Sequence, residues 1–302
     1  MATVDDVVST SLARTRGASR RTSWRVSGIL VYVALGLCTV IFAFPIFWTI
    51  SSSLKAPYEI LSYPPVILPA VPQWKNYVTV FTKTNFLFLH WILNTLFVVA
   101  LGTLGAVLSS SLVAYSFARF RYRGRDLIFV ITLGTMMLPA QVTLIPQYII
   151  WSKFGFVNSL YPLWLPQWFG GGAFFIFLMR QFLLTIPREL DDAARIDGAS
   201  RFHIFRTILL PLCIPALATM VIISFLANWD DYLTPLIYLN SQENFTLSLG
   251  LSVFRNFPET GGEPMQHLLM AATVMTALPP VILFFAAQRY FVQGIVLSGI
   301  KG

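Results

Sequence analysis

Long apolar runs alternate with short polar or charged ones along the whole chain. Six runs, at about 27–50, 91–116, 127–151, 160–179, 208–227 and 267–291, meet the requirement of about 20 mostly apolar residues for a helix that crosses a bilayer. The pattern predicts an all-α, polytopic membrane protein with six transmembrane helices. It divides the chain into a basic tail, 1–26, and a transmembrane domain, 27–302, with a charged loop at 180–207. The first run is too long for the h-region of a cleavable signal peptide. The segment from Ser53 to Asn85 carries five prolines and is expected to be largely irregular. The stretch from Asn228 to Gln266 is polar, with Gly261, Gly262 and Pro264 forming a turn-rich patch.

Composition sharpens this picture. Of the 302 residues 56% are hydrophobic and 11% are charged, against about 25% charged in an ordinary soluble domain. That is too little charge to cover a folded surface in water. Aromatic residues at 15% exclude disorder. The net charge is +8, and its distribution reads as a topology signal rather than a nucleic-acid one. If the N-terminal tail lies inside, 16 Lys and Arg fall on the inner side and 5 on the outer, giving +9 and −1 once acids are included. Both termini and the 180–207 loop are therefore expected in the cytoplasm. The tail, Arg14 to Arg25, reads as a positive-inside anchor, with contact to membrane lipid as the functional alternative. Cys38 and Cys213 lie in apolar runs and read as small buried hydrophobes.

Several chemistries have no residues to carry them. Every Asp, Glu, Lys and Arg falls outside the central parts of the six runs, so a proton relay or voltage sensor finds no intramembrane group. No HExxH, GxSxG or GxxxxGK[ST] pattern occurs, so neither a zinc hydrolase, a serine hydrolase nor an ATP-splitting phosphate loop is written in this chain. The expectation is no enzyme, no metal and no cofactor of its own. Uncharged polar side chains do occur in or beside the runs. Asn94, Gln141, Gln147, Asn228 and Trp229 are the pathway candidates for a neutral polar solute such as a sugar. The competing reading is hydrogen bonding between packed helices. Pro139 and Pro146 are expected to break the third run, and broken helices are tolerated where they line a cavity.

The 180–207 loop carries the densest signal. Pro187 suits a first helical turn, and Glu189, Asp191 and Asp192 would sit near the positive end of that helix. Ala193 and Ala194 present almost no side chain, so another surface can approach. Gly198 is placed to end the helix in a left-handed conformation, and Ser200 to cap a second helix from Arg201. Physical chemistry alone leaves a docking element and a solvated amphipathic connector equally open.

Asp192-Ala193-Ala194, Gly198 and Ile208-x-Leu210-Pro211 resemble the EAA loop of permease subunits of binding-protein-dependent ABC importers. Six of seven marked positions match at the right spacing, Asp192 standing where that family has Glu. Ser53-Leu-Lys55, Tyr63-Pro-Pro65, Asn76-Tyr77, Ala118-Arg119, Met137-Leu-Pro139, Trp229, Leu269-Met-Ala-Ala272 and Gly299-Ile-Lys-Gly302 are similar to MalG-like carbohydrate permeases. The resemblance implies the ABC importer permease fold in a bacterial inner membrane. It implies a second homologous permease subunit and two ATPase subunits that bind ATP and Mg. It also implies an extracytoplasmic sugar-binding protein and no nucleic acid. Glu189, Asp192, Ala193, Ala194 and Gly198 become the expected ATPase-coupling residues. A polyol or glycerol-phosphate compound as solute, or a gradient-driven carrier, are the alternatives.

Overall fold

The computed structural model describes residues 31–84, 87–256 and 265–299, with side chains assigned through residue 288 apart from Ala140 and Asn256. The tail at 1–26 with its lipid contact, the start of the first run, the patch at 261–264 and the end of the chain at 300–302 lie outside the described residues.

The described chain is helical, without strands. Its principal helices are α1 (Val31–Ser53), α2 (Leu87–Arg119), α3 (Arg125–Gly134) and α4 (Ala140–Lys153). They continue as α5 (Ala173–Thr185), α6 (Glu189–Ile196), α7 (Ile214–Trp229), α8 (Leu247–Asn256) and α9 (Gln266–Gly299). Four stretches are long and apolar enough to cross a membrane: α1, α2, Tyr161–Thr185 and Gln266–Gln288. Two bent pairs raise the number to six if each crosses as one span.

The bends have local causes. Arg125–Met137 and Gln141–Lys153 meet at 100°. Pro139 disfavours the helical conformation for the residue before it, and Leu138 is accordingly extended, with ψ 120°. Pro146, also expected to break this run, instead lies inside α4, so the break belongs to Pro139 alone. Arg201–Leu212 meets α7 at 79°, where Pro215 in the first turn of α7 lacks an N–H. A π-helical segment, Ile204–Leu209, precedes this bend.

Helix α2 is the axis of the molecule. At 33 residues it is about 50 Å long, longer than the ~30 Å hydrocarbon core. Of its most apolar window 39% is buried, whereas that of α1 is 0% buried. Around one end of α2, Tyr115, Met179, Leu183, Phe205 and Leu209 form a closed cluster. Around the other, Phe88, Trp91, Phe254 and Leu268 form a second. Between them the Leu165–Trp168 turn lies against a glycine face of α2. A Cβ at Gly105 would stand 2.5 Å from the Trp168 ring, so only glycine admits this approach. Trp168 Nε1 donates to the Leu101 carbonyl at 3.1 Å, and Ser109 Oγ to the Gln167 carbonyl at 2.9 Å.

Two expectations need correction. Cys213 is buried, but Cys38 is exposed, because α1 leans on nothing in the chain along its apolar length. The Ser53–Asn85 segment is more ordered than its prolines suggest. Asn76 Nδ2 donates to the Ser53 and Lys55 carbonyls at 2.8 and 3.0 Å, and the Glu59 carboxylate accepts from the Ala56 and Ala70 amides. The described part of the polar Asn228–Gln266 stretch contains the helices Leu233–Tyr238 and α8.

Candidate functional site

Helix α6 is short, and its faces differ. A period of 3.6 residues puts Glu189, Asp192, Ala193 and Ile196 on one side and Asp191 and Ala194 on the other. The structure follows this division. Asp191 and Ala194 are buried, while Glu189, Asp192 and Ala193 are exposed. Ile196 is 87% exposed.

The inner face is held by charge. Asp191 Oδ2 lies 2.9 Å from Arg119 Nε, with the two side chains 7% and 2% exposed. Arg119 is the last residue of α2, and its Nη2 also donates to the Ile186 carbonyl at 3.0 Å. One guanidinium thus ties the main axis both to α6 and to the chain entering it. Arg188 Nη2 adds a bond to the Ala118 carbonyl at 3.2 Å. Asp191 is consumed by this bracing, which leaves Glu189 and Asp192 as the outward acids. Asp192 Oδ1 is 3.5 Å from Arg195 Nη1, at the surface.

Both ends of α6 are built as the sequence suggests, with one shift. The helix begins at Glu189, two residues beyond Pro187, so the proline precedes the helix instead of opening its first turn. Gly198 has φ +82°. Its N–H donates to the Arg195 carbonyl at 3.0 Å, and the Ala199 N–H to the Ala194 carbonyl at 2.9 Å. This is the paired bonding of a Schellman stop, which needs a left-handed residue at Gly198. Ser200 Oγ then accepts from the His203 amide at 3.2 Å and caps the next helix. Tyr115 on α2 donates to the Arg201 carbonyl at 3.0 Å, fixing the start of that helix as well.

The pathway candidates separate into two groups. Asn94 Nδ2 donates to the Glu243 and Phe245 carbonyls at 2.8 and 3.0 Å. Trp229 is buried, and its Nε1 donates to the Thr276 carbonyl at 3.2 Å. Asn228 Oδ1 accepts from Gln167 Nε2 at 2.6 Å, and its Nδ2 donates to the Ser224 carbonyl at 2.7 Å. All three are engaged by their own chain. Gln141 and Gln147 are exposed on α4, which carries no buried residue among those described.

Two participants escape a reading of the sequence. The Arg119–Asp191 pair joins residues 72 positions apart, and nothing local distinguishes Asp191 from its acidic neighbours. Ile196 had a usable signal: it falls on the acidic face by helical period.

An apolar multi-span fold with an exposed acidic helix braced from within is the architecture of a membrane protein with one helix free to dock a partner. The chain belongs to the family of binding-protein-dependent transport system inner membrane components, whose model matches residues 106–297. It is therefore a multi-pass inner-membrane protein and a transport subunit. It is 33% identical over 285 residues to the arabinooligosaccharides transport system permease protein AraQ of Halalkalibacterium halodurans, covering 94% of this chain and 99% of that one. It is also 33% identical over 276 residues to the sn-glycerol-3-phosphate transport system permease protein UgpE of Agrobacterium fabrum, covering 90% and 96%. A solved bacterial ABC transporter involved in the import of the acidic polysaccharide alginate matches with TM-score 0.79 at 26% identity, over 88% of this chain and 97% of that one.

Proposed function

We propose that this chain is one permease subunit of an ATP-driven sugar importer, and that α6 is the element through which a separate ATPase drives it. The observation that carries the reading is the two-faced α6. Its inner face is locked to the 33-residue α2, and its outer face offers Glu189, Asp192, Ala193 and a bare Ile196. The Ile196 side chain, 87% exposed beside these acids, is apolar surface that a docked partner would bury. Two ATPase subunits would bind ATP and Mg and close beneath a pair of permeases. The movement would enter through Glu189, Asp192, Ala193 and the Gly198 stop, and pass along α2 through Arg119. Alternating access of this kind needs a rigid lever and no chemistry in this chain.

The inner excess of Lys and Arg supports cytoplasmic termini and a cytoplasmic α6. The same assignment puts the Asn228–Gln266 stretch outside, where an extracytoplasmic binding protein would deliver solute. The spans at about 27–50, 91–116, 127–151, 160–179, 208–227 and 267–291 remain the proposed crossings. Gln141 and Gln147, exposed on α4 beside the 100° bend, are the residues best placed to meet a second permease subunit or the solute. The similarity to AraQ favours an oligosaccharide. The similarity to UgpE favours a phosphorylated polyol as the second reading.

The test is reconstitution of the full complex in vesicles with the binding protein, followed by uptake from a panel of oligosaccharides and glycerol phosphates. Gly198→Val serves as the uncoupled control. Forcing a β-branched residue to φ +82° costs about 1–2 kcal/mol and reorients α6. Uptake should fall at least tenfold while ATP hydrolysis and membrane insertion persist. Undiminished uptake in that variant would count against α6 as the lever.

A further inference from the structure

Beside α6 lies a cavity of about 480 Å³ whose Arg121 and Arg201 have no part in the transport reading. Its walls are Arg119, Phe120, Arg121, Arg188, Asp191, Asp192, Arg195 and Arg201, five arginines against two aspartates. Both acids are already answered, Asp191 by Arg119 at 2.9 Å and Asp192 by Arg195 at 3.5 Å. Arg121, Arg188 and Arg201 are left over, a formal excess of three positive charges. Two of these are held in place. Arg188 is anchored by the Ala118 carbonyl at 3.2 Å, and the Arg201 guanidinium lies 4.9 Å from the centre of the Phe120 ring. Both keep further N–H groups for a ligand, since each guanidinium has five donors.

We infer that this cavity receives the phosphate headgroup of an anionic phospholipid. The position is the first reason. The cavity sits in the turn between the end of α2 at Arg119 and the start of α3 at Arg125, where two apolar segments leave the hydrocarbon. Leu127 and Ile128, on the first turn of α3, are 65% and 48% exposed and suit acyl chains next to it. The chemistry is the second. Guanidinium groups pair with phosphate oxygens in bidentate fashion, and basic pockets between spans on the cytoplasmic side suit such headgroups. An acidic protein segment fits less well, because a partner covering α6 must answer Glu189 with positive charge. The inference rests on the proposed orientation and not on the solute.

Lipid retention tests it without any transport assay. The full chain, purified in detergent with equal phosphatidylglycerol and phosphatidylethanolamine, would be examined by native mass spectrometry. One phosphatidylglycerol should remain per chain in preference to phosphatidylethanolamine. Each charge removed should weaken retention about fivefold, so Arg188→Gln with Arg201→Gln should weaken it roughly twenty-five-fold. Arg201→Lys should preserve most of it, and Arg20→Gln with Arg21→Gln in the tail should leave it unchanged. If the double variant is not monodisperse, Arg121→Gln alone should still show the fivefold loss. Equal retention of both lipids, or equal loss in the tail variant, would overturn the site. Displacement by millimolar inorganic phosphate would make it a free-anion site and overturn the lipid assignment. A variant that loses added ATPase while keeping its lipid would assign the cavity to that protein.

Discussion

The two ends of α2 are fastened in opposite ways. At the Arg119 end a buried ion pair and bonds from Arg119, Arg188 and Tyr115 to backbone carbonyls join a Schellman stop and a capped helix that turns π-helical over Ile204–Leu209. Some 25 residues away, about 37 Å along the helix, the Asn94 end is stapled by neutral hydrogen bonds. There Asn94 donates to two carbonyls, Trp91 Nε1 to the Gln242 carbonyl at 2.7 Å, and Thr95 Oγ1 accepts from the Leu247 amide at 2.7 Å. Phe88, Trp91 and Phe254 close the same region edge to face. The Arg119 end thus adds a buried charge pair and a glycine stop to its neutral bonds, whereas the Asn94 end relies on neutral bonds alone. The difference fits the proposal that movement enters at the Arg119 end.

The largest effect should come from breaking the ion pair. Asp191→Ala strands the Arg119 guanidinium in a buried site and should cost about 3–5 kcal/mol. Thermal unfolding of the purified chain would show it. Replacing both partners, Arg119→Met with Asp191→Leu, should recover most of that loss, because an apolar pair strands no charge. If the double variant is no better than the single one, the pair is not acting as a unit. At the stapled end, Asn94→Ala removes two bonds and leaves two carbonyls unanswered. It should cost about 1–3 kcal/mol in the same melt while leaving ATPase retention intact. Loss of the ATPase in that variant would erase the contrast between the ends. The smallest effect belongs to Ser200→Ala. Loss of that cap should cost about 1 kcal/mol and raise amide exchange in Arg201–His203 without touching the Asn94 end.

The apolar spans were legible because lipid imposes a composition and a length that no tertiary contact needs to supply. The Asp192-Ala193-Ala194 and Gly198 spacing was legible for the same kind of reason: a helix stop is local. Contacts across the chain were not. Asn94 and Trp229 look like residues lining a passage, yet Glu243, Phe245 and Thr276 claim their polar atoms. Arg119 looks like one more inner-side charge until Asp191 is seen beside it. Gly105 carries no turn signal, and its value appears only with Trp168 against it. The break at Pro139 and the continuity at Pro146 show how one residue type acts differently by position. Pro139 imposes its restriction on an extended Leu138, while Pro146 is absorbed into α4.

The central claim is that the outward face of α6 meets an ATPase. Ile196→Asp tests it most directly, since the side chain is 87% exposed and contributes nothing to the internal core. The measurement is the amount of ATPase that stays with the permease complex through size-exclusion chromatography in detergent. The account predicts a loss of about 2 kcal/mol or more in association, roughly thirtyfold, with the permease itself still monodisperse and its melt unchanged. Full ATPase retention by the Ile196→Asp complex would contradict it.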